Sequence, residues 1–329
     1  MADALIAPAV GATMYACSTV AAGYSIKKIK EEDNNKVLPT MGVMGAFVFA
    51  TQMINFTIPG TGSSGHLCGG MLLAAIVGPY AAFVTMIGVL LLQCLMFADG
   101  GILALGCNVW NMAFYGCFIG SLLIWKPMMK KGASRGKIIA ASILGCVITL
   151  QLGAFSVSLE TLVSGITELP FSIFVATMQP IHLAIGAVEG LITAAVLVFI
   201  YETRPDMLWG LNETDEKSKF SFKQTLVILS VVALLIGGGL SLFASEHPDG
   251  LEWSIERLTG DTELEADGNV YDSVASVQEK TAILPDYAFA GSESAAGTSF
   301  SGVFGAGIII AVFVLIGKLF KKKDKVVQA

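Results

Sequence analysis

Apolar residues along this chain come in long, unbroken runs, not in the alternation of strands or the narrow stripe of a soluble helix. The runs fall near 6–26, 38–58, 67–78, 80–98, 102–125, 137–157, 181–202, 224–243 and 302–318. A bilayer core takes about 20 residues as helix, and all but one of the runs approach or exceed that length. The exception, Leu67 to Gly78, is 12 residues, or about 18 Å of helix. Either it starts at mid-membrane depth, or the Gly/Ser loop before it folds inward with it. The pattern predicts an all-α polytopic membrane protein of about nine transmembrane segments. Met14-Tyr15-Ala16-Cys17 loosely imitates a lipoprotein cleavage box, but no basic residue precedes it, so the first run reads as a retained helix.

Composition agrees with lipid as the solvent. Hydrophobic residues make up 54% of the 329 and charged residues 14%, where a soluble domain carries about 25% charge; the mean hydropathy is +0.71. The net charge of −6 hides a segregation. Eighteen of the twenty basic residues follow the first, fifth, seventh and ninth runs, at Lys27–Lys36, Lys126–Lys137, Arg204–Lys223 and Lys318–Lys325. Nine alternating spans put them all on one side, which the positive-inside rule makes cytoplasmic. The N-terminus is then outside and the C-terminus inside. Segment 244–301, external by the same count, carries twelve acidic residues against Arg257 and Lys280. Its Gly/Ser/Ala stretch at 291–298 suggests a flexible tether. The chain divides into a seven-span body, 1–210, and a two-span module, 211–329. No basic patch is interleaved with aromatics, so nucleic acid is not an expected partner.

Few residues offer chemistry. The six cysteines lie in or beside apolar runs without zinc-knuckle spacing, and read as small hydrophobes. Gly60-Thr61-Gly62-Ser63-Ser64-Gly65 is a literal G-x-G-x-x-G, but a membrane helix precedes it where a dinucleotide site needs a strand. Gly132–Lys137 is one residue short of a phosphate loop, and Ile138 stands where a magnesium-binding hydroxyl belongs; it reads as a solvated turn. No nucleophile–base pair is present, so the chain is not expected to be an enzyme. His182 opens the seventh run and shares a helical face with Glu189; the two could serve an ion pathway, but a structural hydrogen bond to a neighbouring helix is the expected role. Asp99 is placed to cap the fifth helix. His247-Pro248-Asp249-Gly250-Leu251-Glu252 reads as a turn after a helix end, its carboxylates keeping the loop solvated or concentrating cations near the mouth.

His66 stands apart. An isolated histidine is more often a satisfied structural residue. This one ends the glycine-rich loop and opens the short third helix, below an external mouth. Polar groups at membrane depth are functional by default, irregular backbone is tolerated there where it lines a site, and imidazole is the commonest ligand of nickel, copper and zinc.

Several runs resemble a known family. Ala2–Gly11, Met53-Ile54-Asn55-Phe56 with Pro59–His66, Leu91-Leu92-Gln93 with Phe97–Gly101, Gly106-Cys107-Asn108 with Asn111-Met112-Ala113, and His182–Gly190 are similar, in order, to the CbiM/NikM proteins. Pro248-Asp249-Gly250-Leu251-Glu252 and its flanking spans resemble the CbiN/NikN-type PDGLE module, so the whole chain resembles a fusion of the two. The resemblance implies the substrate-capturing subunit of an energy-coupling-factor uptake transporter for Ni²⁺ or Co²⁺ in a bacterial or archaeal cell membrane. Its partners would be an energy-coupling transmembrane subunit and cytoplasmic ATPase subunits. Small residues on the first run (Gly11, Ala12, Ala21, Ala22, Gly23) would let helices pack closely against that partner. No resident cofactor is implied; the metal is cargo. A membrane-embedded metal sensor or passive channel is the rival reading. A channel should show charged rings or filter repeats, and a sensor a cytoplasmic output domain.

The resemblance also implies the ligands: nitrogens of Met1 and Ala2 at the N-terminus and the imidazole of His66. Here the chain departs from the family, which begins Met-His where this sequence begins Met1-Ala2. Either the start lies two residues upstream, giving Met-His-Met-Ala-Asp, or this member has lost one imidazole.

Overall fold

The computed structural model describes residues 1–32, 34, 36–211, 218–289, 291 and 294–327, with side chains to Ile316. Helix dominates, with one small hairpin. In chain order the elements are α1 (Pro8–Glu32), α2 (Val37–Gln52), β1 (Phe56–Ile58), β2 (Ser63–Gly65), α3 (Gly70–Val77) and α4 (Pro79–Phe97). They continue with α5 (Leu105–Met129), α6 (Arg135–Ser164), α7 (Phe171–Thr203), α8 (Phe222–Gly238), α9 (Gly250–Thr259), α10 (Asn269–Thr281) and α11 (Ala295–Val327). Between Val109 and Trp125, α5 is wound as a π-helix. Six helices among the described residues are long and apolar enough to cross a membrane: α4, α5, α6, α7, α8 with its extension to Phe243, and α11. α2 is apolar but shorter.

α2 and α3 form the centre. α2 is buried without a break over Thr40–Gln52, and all eight residues of α3 are buried. A helix apolar on every side belongs in the interior. Two left-handed glycines isolate α3: Gly69 (φ +79°) before it and Gly78 (φ +81°) after it, where Pro79 starts α4. The shortness expected of the third run is therefore real, and the hairpin before it folds inward too: Ser63, Ser64 and Gly65 are buried.

The C-terminal helices pack on the same centre. A Cβ on Gly42 would stand 3.0 Å from Phe313 Cβ, and one on Gly45 would stand 3.1 Å from Ile309 Cγ2. α8 and α11 cross backbone to backbone at Gly237 and Gly302. Small residues permit such approach where lipid supplies no hydrophobic drive between helices.

Four expectations change. The run 38–58 is not one helix: α2 stops at Gln52, and 56–65 is an antiparallel hairpin pairing Phe56 with Gly65 and Ile58 with Ser63. The glycine-rich segment is thus ordered, with Gly60 and Gly62 at positive φ in its tip, and His66 lies in non-helical chain ahead of α3. α7 begins at Phe171, ten residues before the apolar run, so His182 lies inside a helix that continues through Pro180. A neighbouring helix serves that region: Gln151 Nε2 donates to Gln179 O at 2.8 Å, and Gln179 Nε2 returns a bond to Gln151 O. Gly11 is spent inside the chain, its Cα against Leu103, while Ala12 and Gly23 remain exposed.

The acidic segment is largely folded. It contains α9 and α10, and Leu251, Ile255, Leu258 and Leu264 pack with Leu5, Ile6, Phe174 and Met178. Of the tether expected at 291–298, residues 292 and 293 lie outside the described residues, and the chain is helical from Ala295. At the opposite end, Lys36 and Arg204 both approach the Phe222 ring, and Lys126 approaches Trp209. Lys217 lies outside the described residues. In the turn before α6, Lys137 Nζ donates to the Gly132 carbonyl at 2.6 Å, so the lysine satisfies its own loop.

Candidate metal-capture site

The N-terminus is strapped down by backbone and side-chain bonds. Met1 O accepts from the Gly101 amide and from Asn108 Nδ2, each at 3.1 Å. Asp3 Oδ1 accepts from the Ala104 amide at 2.9 Å. Burial raises the Asp3 carboxyl above its ordinary value, against the lowering effect of amides at 102–104. Asp3 thus serves the start of α5, the role expected of Asp99. Asp99 instead accepts a hydrogen bond from Tyr287 Oη, and Tyr287 stacks on Phe97 with centroids 4.6 Å apart.

His66 is held from both sides. Behind it the β2 strand pairs with β1. Ahead of it, the buried carboxylate of Glu189 accepts the amides of Cys68 and Gly69, each at 2.9 Å. The hydrogen bond expected from the His182–Glu189 face to a neighbouring helix is made by Glu189, to the backbone leading into α3. His182 Nδ1 stands 2.8 Å from its own helix at Met178 O, and its Cε1 would lie 3.1 Å from a Cβ on Gly250.

The PDG turn docks at the same place. Ser64 N donates to Pro248 O at 2.8 Å and Ser64 Oγ to His247 O at 2.8 Å. Asp249 caps α9: its Oδ1 accepts from Leu251 N and Glu252 N, and its own amide donates to Glu252 Oε2. Trp253 Nε1 donates to Thr61 O at 3.1 Å, in the hairpin tip. α10 closes the other flank, with Gln278 Nε2 donating to Gly100 O at 2.7 Å and Tyr271 Oη to Ile6 O at 3.1 Å.

Beneath these elements lies a cavity of about 60 Å³ lined by Met1, His66, Gln52, Gln93, Asn108 and Asp249, with Asp99, Gly100, Leu90, Leu105 and Met112 completing the wall. The structure thus brings two of the three expected site residues, Met1 and His66, to one cavity. Ala2 is exposed beside it. His66 Nδ1 stands 3.1 Å from Leu67 O, and His66 Nε2 stands 3.9 Å from Asp249 Oδ2. Among the described residues no three of His, Cys, Asp and Glu gather at metal-holding distance, so a metal here would draw on the terminal amine or on amide oxygens as well. Gln52, Gln93 and Asn108 had no role assigned from sequence, and Asp249 was read only as a turn carboxylate that solvates the loop or concentrates cations. Gln93, Asn108 and Asp249 sit in the very runs that carried the resemblance, and that was the available signal.

The fold and this cavity define a polytopic helical membrane protein with a small polar site closed by its own C-terminal segment. The family model for the cobalt uptake substrate-specific transmembrane region, CbiM, matches residues 1–207, and the PDGLE domain model matches residues 223–322. The chain belongs to the CbiM family and carries a PDGLE domain behind it. A relative from Archaeoglobus fulgidus with the provisional name fused nickel transport protein NikMN is 31% identical over 310 residues, covering 94% of this chain and 95% of its own. The fused nickel transport protein NikMN of Rhodobacter capsulatus is 28% identical, covering 94% of each chain. The solved structure described as a truncated transition metal transporter is 29% identical with a TM-score of 0.54, covering 61% of this chain and 98% of its own. These relatives are transport proteins, not enzymes.

Proposed function

We propose that this chain is the metal-capturing subunit of an energy-coupling-factor uptake transporter for Ni²⁺ or Co²⁺. It takes the ion from outside the cell membrane, with the N-terminus external and the C-terminus cytoplasmic across nine spans. A separate coupling subunit and two ATPases drive its release inward. The observation that carries this reading is the meeting of Met1 and His66 in one small cavity. Terminal amine, backbone amide and imidazole nitrogens suit a d⁸ Ni²⁺ ion, whereas carboxylates alone suit magnesium or manganese. The names of the full-length relatives add support, as does the family of the 1–207 segment. The exposed face of α1 with Ala12 and Gly23 is available to the coupling subunit.

Isothermal titration of detergent-purified protein tests the reading. Wild type should bind Ni²⁺ or Co²⁺ at high affinity, and His66→Ala should abolish that binding while leaving the melting temperature unchanged. Equal affinity in the variant overturns the assignment of the site.

A further inference from the structure

Glu160 is the one acidic residue in α6. A carboxylate set in a membrane helix is costly and calls for a partner. α6 meets α5 backbone to backbone, where a Cβ on Gly153 would stand 2.6 Å from Asn111 O. Glu160 lies seven residues further along the same face of α6, and Asn111 Nδ2 donates to its Oε2 at 2.6 Å. Glu160 is 8% exposed and Asn111 7%. Among the described residues no lysine, arginine, histidine or terminal amine forms an ion pair with this carboxylate.

The oxygens left over have nothing to bond. Asn111 Oδ1, Glu160 Oε1, Thr161 Oγ1 and Ser164 Oγ are buried without a hydrogen-bond partner, four of the five such side-chain atoms among the described residues. Residues 160, 161 and 164 neighbour one another on the last turn of α6, and Asn111 is tied to that turn through Glu160. Ser142, Thr149 and Ser158 on the same helix each donate to the carbonyl four residues back; Thr161 and Ser164 make no such bond. The helix ends here, with Gly165 (φ +62°) donating its amide to Thr161 O. Its last carbonyls add partial negative charge at the same place.

We propose that these four oxygens form a binding site for a small monovalent cation, Na⁺, between α5 and the C-terminal end of α6. A carboxylate, an amide carbonyl and two hydroxyls make an all-oxygen donor set, the preference of hard cations. One carboxylate balances one Na⁺, whereas a divalent ion would leave a positive charge buried. Water would satisfy the oxygens without neutralising the carboxylate. Helix C-terminal ends hold Na⁺ in membrane transporters by the same electrostatics. The bound ion would brace α5 against α6 beneath Leu5 and Ile6, which pack with Cys107, Ala154 and Val157. The site shares no lining residue with the cavity at His66 and does not rest on the capture reading.

The test uses the full chain in detergent with Na⁺ alone as probe, choline replacing it at constant ionic strength. Radiolabelled sodium should bind at one ion per chain. The melting temperature should rise with NaCl and level off as the site fills. Glu160→Gln keeps the shape and removes the charge, so Na⁺ affinity should fall about tenfold or more and the rise in melting temperature should vanish. Thr161→Val removes one hydroxyl at constant shape and should also weaken Na⁺ binding, which keeps the test open if Glu160→Gln fails to fold. His66→Ala should bind Na⁺ as wild type does. Sodium bound equally by wild type and the folded site variants, or lost in His66→Ala, places the ion elsewhere and overturns the proposal. No saturable sodium binding in the wild type means that water or a proton satisfies these oxygens, and overturns it however the variants fold.

Discussion

The carboxylate of Glu189 accepts the Gly69 amide at 2.9 Å across 120 residues of sequence. Its second oxygen accepts Cys68 N, so one buried side chain on α7 fixes the segment that leads from His66 into α3. A buried amide deprived of its acceptor costs about 1–3 kcal/mol. Glu189→Ala should therefore lower the melting temperature and, by loosening the backbone beside His66, weaken Ni²⁺ binding. Glu189→Gln retains one acceptor but turns an NH₂ toward the other amide, and should fall between. Melting and titration curves for both variants check this; unchanged affinity in Glu189→Ala would show that the anchor does not position His66.

Gly101 lies under the N-terminal strap. A Cβ there would overlap the Asp3 carboxylate and stand 2.6 Å from the Asp3 amide. Gly101→Ala should lift residues 1–5 off the cavity and reduce Ni²⁺ affinity at least tenfold with helix content preserved. Gly23→Ala is the control, since among the described residues nothing outside its own helix lies within 4 Å of a Cβ added there. Circular dichroism and titration on the two variants distinguish a local lift from misfolding.

The proposed orientation can be read by labelling. Ser273 and Ser218 are both exposed, on α10 and in the chain before α8. With single cysteines at these positions in a cysteine-free background, an impermeant thiol reagent applied to intact cells should reach 273 and miss 218. The reverse pattern inverts the topology.

At the basic end, Arg204 Nε and Nη2 grip Asp206 Oδ1 and Oδ2 at 2.7 and 2.5 Å. The hydrogen bonds from Arg204 hold the Asp206 carboxyl below its ordinary value of 3.8. A depressed carboxyl pKa contributes stability that is fully present above the unfolded value and is lost as pH falls through the folded one. Asp206→Asn should thus lower stability at pH 7 by about 1 kcal/mol, a modest figure because the carboxylate is partly exposed. The gap to wild type should narrow as pH drops below 4. A gap that stays constant with pH would mean the ion pair contributes nothing.

The sequence by itself determined the lipid-facing character and the helices, because long apolar runs allow few other structures. It marked His66 as a candidate ligand, and only with the resemblance did that reading outweigh a structural one. It could not place the end of α2 at Gln52 or the start of α7 at Phe171. Apolar strands and helices look alike in short runs, and Pro180 signals a helix start when no neighbouring helix is known. Asp99 shows the same limit. As a cap it is plausible locally, yet Asp3 arrives from the other end of the body to bond Ala104, and Tyr287 takes Asp99 instead. The acidic segment reads as solvated from its charge, and only the tertiary structure shows Leu251, Ile255 and Leu258 turned onto Leu5 and Ile6. That packing brings Asp249 to His66, 183 residues away in the chain. Such proximity is set by which helix faces find each other, and no local pattern of residues records it.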